Sequence, residues 1–161
     1  MKGWLVLLLT GLALMACSKE EKRASSPPAP VASAAAVLPD PAVARRRGID
    51  PTRAEQGARL FAAHCAACHG SRAEGTPNWR TPGADGKYPP PPLDGSAHAW
   101  HHPRAILRLT IREGTGRLGG NMPAFRDKLS EGDIEAIIDW LVARWPDAVY
   151  AQWLEIERNA R

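Results

Sequence analysis

Five consecutive residues, Cys65-Ala66-Ala67-Cys68-His69, carry the chemistry of this chain. Two thiols three residues apart can face one side of a helical turn, with an imidazole directly behind them. Cys-x-x-Cys-His is the attachment pattern for c-type haem: the thiols bond to the two vinyl groups and the histidine is delivered to the iron as an axial ligand. Other uses of the pair demand more than the chain offers. A thioredoxin-like dithiol sits in an alternating β/α pattern, and almost no strand pattern is present. A zinc site takes four ligands, and the only other cysteine, Cys17, stands in an N-terminal leader.

An iron bound by His69 has a second face. Methionine is a usual ligand there and raises the potential. Met122 is the one methionine outside the leader, in Gly119-Gly120-Asn121-Met122-Pro123-Ala124-Phe125. Pro123 biases Met122 toward extended dihedrals, so a loop can aim the thioether at the iron. His98, His101 and His102 compete: one could supply a second imidazole and a lower potential, or the three could hold a second metal such as copper. The plainer reading has them cap the helix after Pro103 and serve haem propionates together with Trp79, Arg80 and Trp100.

The elements that must position these groups are helical. Asp50 or Thr52 can cap a first helix whose Ala54, Gly57, Ala58, Phe61 and Cys65 follow helical spacing into the Cys pair. Gly70 to His102 is rich in Pro and Gly, long for a loop inside a domain unless it wraps something; a haem is such a filler. Pro103 opens a second helix with Ile106, Leu107, Thr110 and Ile111 inward and Gly114 after its end. Ser130 and Asp133 form a capping box, followed by Ile134, Ile137, Ile138, Leu141, Val142 and Trp145 at helical intervals. Pro146 stops that helix, and Val149 to Leu154 predict a short terminal one.

The 161-residue chain has room for one domain, expected over 50–161. Residues 1–16 read as an export signal, an apolar run too short to span a bilayer. Leu14-Met15-Ala16-Cys17 resembles the lipobox of bacterial lipoproteins, which implies cleavage before Cys17 and its acylation. Residues 17–49 read as a Pro/Ala-rich disordered tether, about 33 residues that span at most ~110 Å. The net charge of +4 lies wholly in the first 47 residues. Arg45, Arg46 and Arg47 read as a solvated charge run, and no basic, aromatic-interleaved surface points to nucleic acid.

With these residues in place, the chain from about Pro51 to Trp145 resembles class I cytochromes c. Gly57-x3-Phe61-x3-Cys65-x2-Cys68-His69 has the spacing of that family's first helix and haem site. Pro91-Pro92-Leu93-Asp94-Gly95 resembles its proline–leucine loop, and Met122-Pro123-Ala124-Phe125 its methionine loop. The resemblance implies an all-α cytochrome c fold of three to five helices around one covalently attached haem c. It implies that Pro91 (or Pro92) accepts the second N–H of His69, that Leu93 contacts the haem, and that Trp140 lies where the last helix crosses Gly57 and Phe61. The segment ending in Trp100-His101-His102 and the tail after Pro146 resemble a subgroup of small bacterial cytochromes c. The function implied is single-electron transfer through His69/Met122-ligated iron, with redox proteins as partners and no small-molecule substrate. The carrier is expected in the bacterial cell envelope, lipid-anchored through Cys17 and facing the periplasm or exterior. The competing expectations are a docked subunit of a membrane complex handling copper through His98, His101 and His102, and a weaker one of peroxidase activity at an open iron.

Overall fold

A computed structural model describes residues 36–160, and the described part is all helical. The leader, Cys17 and the tether to residue 35 lie outside the described residues. Six α-helices follow in order: α1 (Pro41–Arg46), α2 (Pro51–His64), α3 (Ala66–His69), α4 (Arg104–Glu113), α5 (Glu131–Arg144) and α6 (Asp147–Asn159). Short 3-10 turns cover Ala99–His101 and Gly116–Leu118. None of the described helices is long and apolar enough to cross a membrane.

The core is the crossing of α2 and α5. Asp50 caps α2 by accepting the amide of Thr52, and Pro51 stands in its first turn. Ser130 and Asp133 close the capping box of α5. Phe61 and Trp140 meet at the crossing, their ring centroids 4.3 Å apart. Gly57 permits the approach: a Cβ there would lie 1.9 Å from the Ala136 carbonyl oxygen. Ile134, Ile137, Ile138 and Val142 fill the space around the rings.

A buried ion cluster fastens α4 to this pair. Asp139 on α5, 1% exposed, accepts from Arg104 Nη2 at 2.8 Å and pairs with Arg53 of α2. Arg104 also reaches Glu135 at 2.7 Å, and Arg108 reaches the other oxygen of Glu135 at 2.6 Å. The first amide of α4, on Arg104, donates to Glu157 of α6 at 2.8 Å. That carboxylate takes the capping place expected of the histidines, since Pro103 at the N-cap makes no side-chain cap bond.

Three expectations are revised. Residues 36–49, read as the end of a tether, are packed structure. Ala44 of α1 is fully buried, and Trp140 Nε1 donates to the Val37 carbonyl at 2.7 Å. Arg47 is no solvated charge: its side chain is 5% exposed, donates to the Val142 carbonyl, pairs with Asp147 and stacks over Tyr150. Arg45 and Arg46 are exposed, as a solvated run predicts. The terminal helix is also longer than expected, beginning directly after Pro146 and running to Asn159. Its Trp153 is buried against Trp145, edge to face, with centroids 5.6 Å apart.

Candidate functional site

The Cys-x-x-Cys-His run lies at the end of α2 and in α3. Cys65 closes α2, donating its amide to the Phe61 carbonyl at 2.9 Å. The chain then starts a new turn at once: the amides of Cys68 and His69 both donate to the Cys65 carbonyl, at 3.1 and 2.9 Å. One tight turn therefore carries both thiols and the imidazole. Neither Cys65 nor Cys68 is in a disulfide, and Cys68 is exposed while Cys65 is half-buried. Burial first, and the neighbouring Cys68 second, push the Cys65 thiol up to about 12.

His69 is buried, and its Nδ1 lies 2.9 Å from the Pro91 carbonyl oxygen. A carbonyl only accepts, so the proton sits on Nδ1 and the Nε2 lone pair is left to bind a metal. Burial pulls the imidazole below its ordinary pKa; the Pro91 bond works the other way without reversing it. His69 is thus a buried imidazole whose tautomer a backbone acceptor fixes, with Nε2 left able to bind a metal. The acceptor is Pro91 rather than Pro92.

Leu93 is half-buried against the core and bonded through both backbone groups. Its amide donates to Ala73 at 2.8 Å, and its carbonyl accepts from Trp145 Nε1 at 2.9 Å. Met122 is also half-buried against the core. Its loop hangs on Thr115, whose Oγ1 accepts the Met122 amide at 3.0 Å while the Met122 carbonyl accepts the Thr115 amide at 3.0 Å.

The histidine cluster does not converge. His98 stacks on Trp79 with centroids 5.7 Å apart, and His101 lies edge-on to Trp100 at 3.8 Å. His98 and His102 are 6.0 Å apart at right angles. Desolvation, then the charges of His102 and His101, lower the His98 pKa. Among the described residues, no group of three or more His, Cys, Asp or Glu side chains could hold a metal ion. A copper site at these residues therefore has no shared ligand set. Arg80 stacks over Trp79 at 4.4 Å on the exposed side of the loop.

The residues present fit a haem. Two thiols stand free on the turn that carries a neutral, oriented imidazole. Of the five large apolar side chains left exposed among the described residues, four (Tyr88, Ile106, Leu109 and Leu118) fall between His69 and Met122 in the sequence. That stretch needs apolar cover, which a porphyrin supplies. Residues that sequence reasoning missed also hold the site: Trp145, Arg144 and Thr115 fix its loops from a distance. The one local signal was that a buried tryptophan needs a partner for its N–H.

A family model described as cytochrome c oxidase, cbb3-type, subunit III matches residues 52–141. The match covers α2 to α5, and with them the Cys pair, His69, the proline loop and Met122. No curated protein and no solved structure matches the chain.

Proposed function

Because this chain belongs to the family of cbb3-type cytochrome c oxidase subunit III, a c-type cytochrome family with covalent haem c, we propose that it is a monohaem electron carrier tethered to a membrane. Haem c supplies a one-electron ferrous/ferric couple. The rest is done by the protein. Cys65 and Cys68 would hold the group by thioether bonds and His69 would bind the iron through Nε2; burial favours the neutral imidazole, and the Pro91 carbonyl fixes its tautomer and orientation. Met122, on a loop that Thr115 holds, would supply the second protein ligand. Two protein ligands would leave the iron no position open to a substrate, which favours electron transfer over peroxide chemistry. Leu93, two residues after Pro91 on the same loop, would contact the haem.

The observation that carries this reading is the buried His69, its Nδ1 proton committed to Pro91 and two free thiols on the same turn. Acylation of Cys17 would place the carrier on the cell envelope, facing redox proteins in the periplasm or outside. The test is the optical spectrum of the purified full-length protein, oxidised and reduced, with extraction of the denatured chain by acidic organic solvent. Haem retained on the chain and a methionine–iron charge-transfer band in the oxidised form are expected. Extractable haem would refute attachment, and a high-spin oxidised spectrum at rest would refute ligation by Met122.

A further inference from the structure

The acceptor that orients His69 sits in an unusual piece of backbone. Pro89, Pro90, Pro91 and Pro92 are consecutive, so this stretch has carbonyls but no amide N–H of its own. It cannot pin itself in place; donors from elsewhere must do so. Thr76 N donates to the Pro90 carbonyl at 3.0 Å, His69 to Pro91, and Trp145 Nε1 to the Leu93 carbonyl at 2.9 Å. The opposing loop, 70–76, is fastened by Gly75 N to the His69 carbonyl at 2.7 Å and by Arg144 Nη2 to the Arg72 carbonyl at 3.0 Å. The two loops close tightly: a Cβ at Gly75, where φ is +73°, would lie 2.3 Å from the Pro92 nitrogen.

Both sides of the His69 cradle therefore hang from the end of α5, through Arg144 on its last turn on one side and Trp145, just after it, on the other. Trp145 is the stronger anchor. It is 2% exposed, wedged edge-on against Trp153, and fixed in direction by Pro146 behind it. We propose that Trp145 is a positioning residue for electron transfer: its indole N–H holds Leu93, and so the Pro91 carbonyl, at the distance that sets the His69 Nδ1–H bond and the reduction potential. This rests on His69 being the axial ligand. A strong bond at Nδ1 makes the imidazole a better donor and favours ferric iron; a slack one favours ferrous iron.

The test is Trp145→Phe in the full-length, haem-bearing protein. It keeps an aromatic ring and removes the N–H. Trp153→Phe is the comparison, since it deletes an equivalent bond, Trp153 Nε1 to the His102 carbonyl at 3.0 Å, in the same aromatic cluster. Trp145→Phe should retain covalent haem and raise the potential by roughly a threefold change in the ferrous-to-ferric ratio, about 28 mV where tenfold is 59 mV for one electron. Its His69 Nδ1 proton should exchange faster with solvent by NMR. Trp153→Phe should lose stability and keep the potential. A parental potential and Nδ1–H exchange rate in Trp145→Phe would overturn the proposal, as would an equal shift in Trp153→Phe. Should Trp145→Phe fail to fold, exchange in the parent protein decides: the Trp145 Nε1 and His69 Nδ1 protons should be released in one opening as denaturant rises. Continued protection of His69 after Trp145 exchanges freely would overturn it. A parent without covalent haem would overturn the haem assignment and this proposal together; an unchanged potential overturns only this one.

Discussion

Trp140 stands at the meeting point of three parts of the chain: its ring lies 4.3 Å from that of Phe61 on α2, and its Nε1 donates to the Val37 carbonyl ahead of α1. The helix that carries the Cys pair is thus braced by one face of an indole, while the indole's edge holds the N-terminal segment. Loss of either contact loosens the same crossing.

Phe61→Ala should therefore cost about 3–5 kcal/mol, the range for a large aromatic cut from a close-packed core. Gly57→Ala should cost at least ~2 kcal/mol, because its methyl meets backbone rather than a movable side chain. Urea unfolding of both variants followed by far-UV circular dichroism checks this, and a near-parental midpoint for Gly57→Ala would mean the helices do not cross as described.

Cys65→Ser and Cys68→Ser should each lower covalent haem content, and the double variant should abolish it. Mass spectrometry of the denatured chain reads the result directly. A haem adduct on the double variant would rule out thioether attachment at these residues.

Met122→His should keep the iron six-coordinate and lower the potential, since replacing thioether by imidazole favours the ferric state. A potentiometric titration beside the parent measures it. An unchanged potential would place Met122 away from the iron.

Glu135 gives the fold an acid-sensitive contact. Burial works to raise its pKa, but hydrogen bonds from Arg104 and Arg108 outweigh burial and hold the carboxyl below its usual range. A carboxylate depressed on folding contributes stability that is complete above its unfolded pKa, about 4.3, and lost as pH falls through the lower folded value. Glu135→Gln should be less stable than the parent at pH 7, and the gap should narrow below about pH 4. Paired unfolding curves at pH 7 and pH 3 would expose the error if the gap stayed constant.

The local parts of this molecule were legible in its sequence. Cys65 to His69 is a contiguous pattern whose chemistry depends on one helical turn, and α5 announces itself by the Ser130/Asp133 box and apolar residues at helical spacing. The packed segment before Ile49 was not legible. It buries one small side chain on α1, Ala44, and is held largely by Trp140 and Val142, about a hundred residues away. Its Pro and Ala content therefore reads as tether. Trp145 was visible as an apolar position but not as a donor, because its partner Leu93 lies on a loop with no periodicity. Likewise the histidines suggested a ligand set by their closeness in sequence, whereas Trp79 and Trp100 hold two of their rings apart.

Docking of Val37 and Arg47 on α5 also changes the geometry of encounter. Were Cys17 acylated, as proposed, the chain between the anchor and the packed part would be residues 18–35, at most roughly 65 Å long instead of ~110 Å. A shorter span of chain would give up partners whose docking face stands farther from the bilayer.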